Sequence, residues 1–371
     1  MNVLQVYKYY HPFIGGIENH VRALATALSK HVEVRVLVAN TRPRREIDLV
    51  DGIPVARVPR YGQALSTPLA PTFPLWLRRQ AADITHIHLA NPLATFSYDL
   101  IPPNGTRLVA SYHMDTEAKN ALAHRLYQPF LHRFLQRAEA ILVASPTMLE
   151  RCATLQPHRG KCVLVPYGID VERFAPTPDL ERQARELRSR YGSPLVLFVG
   201  RLVYYKGVDT LIRAAERIQG TVLVIGTGPQ EEMLRRLASS LQLSKKVRFL
   251  GHLPDEDLPA YYHACDVFVL PSTAPTEAFG LVQVEAMACG KPVVCTDLPT
   301  GVTYVNRHGE TGLVVPPRDP QALAEAVNRL LADPALRQRL GRQGRERVER
   351  EFTKEAMVQK ILGVYERVLG R

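Results

Sequence analysis

Short apolar runs alternate with longer amphipathic stretches along most of the chain. In the first half NVLQVY, VEVRVLVAN, ITHIHL, RLVASYH and AILVAS read as strands, and IENHVRALATALSKH carries apolar residues at helical spacing. The second half restarts the pattern with PLVLFVG, TVLVIG, VRFLG, DVFVLP, PVVCT and GLVVP, with helices expected from Val208 to about Ile218 and over 229–241. Strands that alternate with helices in this way predict parallel sheets covered on both faces. A Pro- and Gly-containing stretch, VLVPYGIDVERFAP at 163–176, interrupts the alternation. It divides the chain into a first domain over 1–165 and a second over 166–352, with a last helix in 353–371 folding back onto the first. A chain of 371 residues has room for two such cores, and the absence of a short repeat disfavours a solenoid. Open α/β sheets bind ligands beyond the carboxyl ends of their strands. Two doubly wound domains facing each other would make a cleft lined by those ends, so the loops after strands are where chemistry is expected.

Composition narrows the class. Apolar residues make up 46% of the chain, which is ample for two cores, and no apolar run is long enough to span a bilayer. The opening MNVLQVYKYY lacks the pattern of a secretory signal and reads as a first strand. Five cysteines form no close metal-ligand pair, and their odd number argues against a disulfide framework. These features point to the cytoplasm. The formal charge of +11 is uneven: residues 1–165 hold 19 Lys and Arg against 11 Asp and Glu, whereas 166–371 hold 28 against 25. No zinc pattern, helix-turn-helix or RNP-like strand accompanies the basic half, so nucleic acid is not the expected partner. A phosphate-bearing substrate or an anionic membrane surface fits better.

The richest segment is APTEAFGLVQVEAMACGK at 274–291, with Glu277 and Glu285 eight positions apart. Gly280 lets backbone approach a phosphate, and the helix opening at Leu281 turns unpaired N–H groups toward it. One carboxylate precedes that helix and the other is expected two turns inside it, so the two can reach hydroxyls on either side of the phosphate. Upstream, GRLVYYKG at 200–207 follows a strand and supplies Arg201 and Lys206, two cations suited to a pyrophosphate. Gly15 and Gly16 form either a tight turn or a close approach to a ligand. His86 and His88 share one strand face and could ligate a metal, but no third ligand is spaced to join them. Asp255-Glu256-Asp257 matches a DxD metal pattern, yet its place at a helix start favours a dipole-complementing role. GTGP at 226–229 is a structural turn or a phosphate contact.

GGIEN at 15–19, SYH at 111–113, VPYGID at 165–170, GRLVYYKG, GTGP and the E-x7-E segment occur in an order and spacing that resemble the retaining GT-B glycosyltransferases of family GT4, from Val3 to the C-terminus. Within that family, the stretch from SYHMD through HRLYQPFLHRFLQRAEAILVASP is similar to bacterial mannosyl- or rhamnosyl-type transferases of surface polysaccharide synthesis. The resemblance implies an α/β GT-B fold and transfer of a hexose, mannose from GDP-mannose by preference, to a glycan or lipid-linked acceptor. No metal and no cofactor beyond the GDP- or UDP-linked donor is implied. It places Arg201, Lys206, Glu277 and His113 in the chemistry. Gly15, Gly16, Gly200, His252, Leu253, Ala278, Phe279, Gly280, Leu281 and Glu285 would line the donor. By position alone, Asp115 is either an acceptor contact or a helix N-cap, and His88, at its strand end, lines the acceptor side of the cleft. Glu277 would hold sugar hydroxyls and Glu285 the ribose, and retention would follow from same-face attack.

The alternatives are a UDP-sugar-dependent transferase of the same family, a sugar-nucleotide epimerase on the same fold, and a non-catalytic partner subunit. An epimerase needs a different acid/base set, and a partner subunit would be expected to lose Arg201, Lys206 or Glu277. The helix over 121–140 has apolar residues at 122, 126, 130, 131, 134 and 135, with Arg125, Arg133 and Arg137 on another face. That face is either solvated or a peripheral contact with anionic lipid.

Overall fold

The computed structural model describes residues 1–13, 15–64, 67–113 and 121–371, the last range from residue 125 onward where side chains are concerned. Asp115 lies outside these residues. The chain forms two compact units: Met1–Pro166 together with Lys354–Arg371, and Tyr167–Thr353.

The first unit is built on an eight-stranded sheet. Its strands are β1 (Asn2–Val6), β2 (Glu33–Ala39), β3 (Glu46–Val50), β4 (Ile53–Val58), β7 (Ile84–Leu89), β8 (Arg107–Tyr112), β9 (Ala140–Val143) and β10 (Cys162–Leu164), while β5 (Gly62–Ala64) and β6 (Thr67–Leu69) form a separate hairpin. The order is β10-β9-β8-β7-β1-β2-β4-β3, parallel throughout except that the edge strand β3 runs antiparallel to β4. The β3–β4 hairpin is a departure from the simple alternation of strand and helix. One face of the sheet is apolar at its amino end, through Val3, Ile84 and Val109, and packs against the helices Gly16–Leu28 and Lys354–Leu369. Toward the carboxyl end the same face turns polar, with Gln5, His86, His88 and Ser111, all buried.

The second unit holds β11 (Leu195–Val199), β12 (Thr221–Ile225), β13 (Val247–Gly251), β14 (Val267–Leu270), β15 (Val293–Thr296) and β16 (Gly312–Val315). They form a wholly parallel sheet in the order β13-β12-β11-β14-β15-β16. This is the doubly wound order in which the strand sequence reverses beside the first strand, here between β11 and β14. Buried on both faces, β11 and β14 read as uninterrupted apolar runs, LVLFV and VFVL.

Among the described residues no helix is long and apolar enough to cross a membrane. The helix Ala121–Arg137 buries Leu131, Phe134 and Leu135, as its spacing predicts, but leaves Leu126 and Phe130 exposed. Its apolar stripe is therefore core-facing only over the last two turns.

Candidate functional site

In the second unit the loops after β11 and β14 flank the point where strand order reverses, and they carry Arg201, Lys206, Glu277 and Gly280. Arg201 follows β11 and is exposed. Lys206 ends a short 3₁₀ turn, Tyr204–Lys206, closed by Gly207 in the left-handed region at φ 64°. A Cβ there would strike the Pro271 carbonyl, so the glycine lets the first loop lie against the second. The Thr273 N–H donates to the Tyr205 carbonyl at 2.7 Å and joins the loops again. Their approach brings Lys206 Nζ to 2.6 Å from Glu277 Oε2 in a pair that is nearly buried. The Ser272 hydroxyl donates to the same carboxylate oxygen at 2.9 Å.

Beyond Glu277, the chain passes Ala278 and buried Phe279 to Gly280, at φ 73°, which precedes the helix Leu281–Ala288. An added Cβ at Gly280 would fall 2.6 Å from Leu270 Cδ2. Gln283 fixes this turn by donating from Nε2 to the carbonyls of Phe279 at 2.8 Å and Val302 at 3.1 Å. One turn into the helix, Glu285 accepts from the Tyr262 hydroxyl at 2.6 Å. Glu285 keeps some surface in solvent, yet protein crowds its carboxyl, and desolvation pushes its pKa up against the opposing Tyr262 hydrogen bond.

The loop after β12 packs behind Gly200: Gly200 N–H donates to Ile225 O and Leu202 N–H to Thr227 O, both at 2.9 Å. GTGP thus supports the Arg201 loop. Beyond β13, His252 is exposed and Leu253 partly so, and Asp257 holds the N-cap position of the helix Leu258–Ala264 without a side-chain capping bond.

In the first unit the carboxyl ends of β1, β7 and β8 gather Gly15, His88 and His113. Gly15 precedes the helix Gly16–Leu28 with extended backbone at φ −163°, so it does not serve a positive-φ turn; the Glu18 carboxylate stands where its side chain would be. His88 is fully buried, and both ring nitrogens are engaged, Nδ1 with His113 Nε2 at 2.9 Å and Nε2 with Gln5 Oε1 at 2.7 Å. It stands behind His113 and has no nitrogen left for an acceptor sugar, contrary to the expectation from its place at a strand end. The sequence also concealed further imidazoles. His20, from the helix, lies edge-on to His113 with ring centres 5.2 Å apart, and His20, His88 and His113 hold ligand atoms within 4.8 Å of one another. A metal there would have to displace the proton shared between His88 and His113.

This cluster is held neutral. Desolvation lowers the pKa of His20 to about 4 and that of His86 to about 3, the latter helped by charge on His20, and holds His88 and His113 well below the usual range. Unfolded histidine takes up its proton near pH 6.5. Between that pH and about 4 the unfolded chain therefore binds more protons than the folded one. Stability present above pH 6.5 is lost as pH falls through this window, by about 1.4 kcal/mol per pH unit for each such histidine. Urea unfolding followed by the fluorescence of the single tryptophan, Trp76 in the first unit, is expected to show a midpoint falling steadily from pH 7 to 5. A midpoint flat across that range would contradict the burial of these rings.

Ser272, Gln283, Tyr262, Gln5, His20 and Tyr365 were not anticipated. Each acts through a contact that sequence spacing does not display, although polar Gln5 in an otherwise apolar strand was a signal.

Comparison with known proteins bears on the whole chain. The family description "Glycosyltransferase Family 4" matches residues 14–173, and "Glycosyl transferases group 1" matches 179–347. The D-rhamnosyltransferase WbpZ of Pseudomonas aeruginosa is 32% identical over 357 residues, covering 95% of this chain and 92% of the relative. The chain belongs to glycosyltransferase family 4. A second relative, the O-antigen chain mannosyltransferase C of Escherichia coli, is 32% identical over 379 residues and covers 100% of this chain and 99% of its own. Among solved structures, sucrose-phosphate synthase of Thermosynechococcus elongatus is similar with a TM-score of 0.82 and 28% identity, covering 100% and 99% of the two chains. This family 4 protein is a nucleotide-sugar-dependent enzyme that transfers a hexose to an acceptor hydroxyl.

Proposed function

We propose that this transferase moves mannose from GDP-mannose, with retention and without a metal, to a glycan or lipid-linked acceptor in surface polysaccharide or glycolipid synthesis. The observation that carries the site assignment is the Lys206–Glu277 pair at the strand-order reversal, next to the Gly280 turn. When the glycosidic bond to the nucleotide breaks, negative charge grows on the leaving β-phosphate and positive charge on the sugar ring. Arg201, Lys206 and the first N–H groups of the helix at Leu281 stabilise the former. Glu277, with Ala278 and Phe279, holds sugar hydroxyls, and Glu285 takes the ribose. Gly200 keeps the Arg201 loop close, and His252 and Leu253 lie toward the base. The acceptor oxygen attacks from the face the phosphate leaves, and the departing phosphate takes its proton. The mannosyl and rhamnosyl relatives favour this donor.

A panel of GDP- and UDP-sugars scored by nucleotide release tests the reading. GDP-mannose is expected to give the fastest release, and release confined to UDP-glucose or UDP-galactose would overturn the donor assignment.

A peripheral membrane contact belongs to the same reading. Exposed Phe130 lies beside exposed Phe96 on the neighbouring helix Pro92–Leu100, with ring centres 4.8 Å apart, and exposed Leu126 precedes Phe130 by one turn. Arg125 and Arg133 are exposed on the same helix, whereas Arg137 is paired with Asp99 at 3.1 Å. Each exposed arginine near an anionic surface contributes about 1 kcal/mol. Sedimentation with anionic but not neutral vesicles, lost at high salt and weakened by Arg125→Glu with Arg133→Glu, is the expected result. No binding to anionic vesicles at low salt would leave the face merely solvated.

A further inference from the structure

In the second unit the helix Pro334–Glu351 lies against the helix that carries Glu285. A Cβ on its Gly341 would strike the Gly290 carbonyl, and one on Gly344 would fall 3.3 Å from Met287 Cγ. Leu340, Gly341, Gly344, Arg347 and Val348 form its buried face, at helical spacing. Arg347 is the exception on that face, a cation only 1% exposed. Its Nη2 donates to the Tyr304 carbonyl at 2.9 Å and lies 3.1 Å from Glu351 Oε2, but Nε and Nη1 have no hydrogen-bond partner among the described residues. The guanidinium instead lies over the rings of Tyr304 and Phe352, its carbon 5.2 Å from each ring centre. A half-satisfied buried cation is a poor source of stability, since an apolar side chain of similar volume often serves a core as well or better. Nor does Glu351 depend on it, being partly exposed and paired with Arg350 at 2.7 Å.

What Arg347 does hold is the back of the Gly280 turn. Tyr304 belongs to the short helix Val302–Val305, and its carbonyl lies at the C-terminal end, where intrahelical donors run out. The other end of that helix meets the turn. Gly301 N–H donates to the Ala278 carbonyl at 2.8 Å, and the Val302 carbonyl accepts from Gln283 Nε2 at 3.1 Å. Gln283 also holds the Phe279 carbonyl. The rings make a second connection. Buried Phe279 lies edge-on to buried Phe352 with centres 5.9 Å apart, and its centre is 6.5 Å from that of Tyr304. One guanidinium is therefore fastened to both supports of the segment 278–283.

We propose that Arg347 is a positioning residue that, through Tyr304 and Phe352, holds Ala278–Leu281 in the conformation that presents the first helix N–H groups to the leaving phosphate. The inference rests on the reading that this turn binds the donor phosphate. Backbone N–H groups stabilise developing charge to the extent that they are fixed before the reaction begins. A turn that loses its rear support must be ordered by the donor itself, and part of the binding energy is consumed in doing so. The arginine acts from behind, through one carbonyl and two rings, and touches no substrate.

The test joins amide hydrogen exchange, read by NMR, to melting temperature and to steady-state kinetics with the sugar nucleotide that turns over fastest in the panel above. Arg347→Met keeps an apolar stem and removes the guanidinium, whereas Arg347→Lys can still donate to the Tyr304 carbonyl but cannot stack as a plane. For Arg347→Met the Gly301 amide, which bonds Ala278, is expected to exchange faster while amides of β11 and β14 keep their rates. Donor kcat/KM is expected to fall by about tenfold to a hundredfold, the cost of a slightly misplaced contact, with acceptor KM and melting temperature little changed. Arg347→Lys should recover part of both losses. If Arg347→Met fails to fold, Arg347→Lys decides by the same readings. The proposal is overturned by a lowered melting temperature with normal kcat/KM, which would make Arg347 a core residue only, or by unchanged exchange at Gly301. Undiminished turnover by Gly280→Ala would instead remove the turn from the donor site while leaving the exchange result intact, so the two failures are distinguishable.

Discussion

Arg201→Ala is expected to lower turnover by about 10²–10³ with little change in thermal stability, because on the proposed reading it removes one cation that stabilises charge on the leaving phosphate. Arg201 is exposed and belongs to no ion pair among the described residues, so the fold does not depend on its charge. Lys206→Ala should cost as much in rate but also in stability. Lys206 and Glu277 are paired at 2.6 Å with little exposure, and removing one partner of a buried pair leaves the other uncompensated, a loss of about 3–5 kcal/mol when burial is complete. The Ser272 hydroxyl and the solvent remaining at the site reduce that figure. Turnover and melting temperature measured on both variants check the contrast. Near-normal turnover in either soluble variant would exclude that residue from phosphate stabilisation.

The contrast between the two cations was hidden in the sequence, where GRLVYYKG presents them as equivalent. The strands themselves were legible. β11, β12, β14 and β15 are covered on both faces, so their burial appears as unbroken apolar runs bounded by Gly and Pro. The E-x7-E segment was legible because a glycine marks the turn and helical spacing marks the residues after it. Side chains that meet only through sheet order were not. Tyr365 and His86 stand 279 positions apart, and no local pattern announces their bond. His20 looks like an ordinary residue of an amphipathic helix until the helix is laid over β7 and β8. Leu126 and Phe130 fit the helical stripe of their segment, but a periodic stripe records which residues share a face and not whether a partner covers it.

Glu277→Gln and Glu285→Gln are expected to fail in different ways, since the Gly280 turn lies between them. On the proposed reading Glu277, which already holds Lys206, faces the sugar side, and its amide is expected to abolish most transfer, by about 10²-fold or more if its contacts strengthen in the transition state. Glu285 is oriented by Tyr262 one turn into the helix, where the proposed reading puts the ribose. On the proposed reading its ionised carboxylate accepts from the ribose hydroxyls more strongly than the protonated acid would. Because its pKa is raised, nucleotide affinity of the unmodified enzyme should begin to fall at a higher pH than an ordinary carboxylate would give.

Calorimetric titration of GDP into the unmodified enzyme, Glu277→Gln and Glu285→Gln tests the central claim that the reversal between β11 and β14 holds the donor with its sugar toward Glu277 and its nucleotide toward Glu285. The account predicts that Glu277→Gln binds GDP almost normally while losing transfer, and that Glu285→Gln binds it markedly more weakly. Equal loss of GDP affinity in the two variants, or undiminished affinity in both, would contradict it.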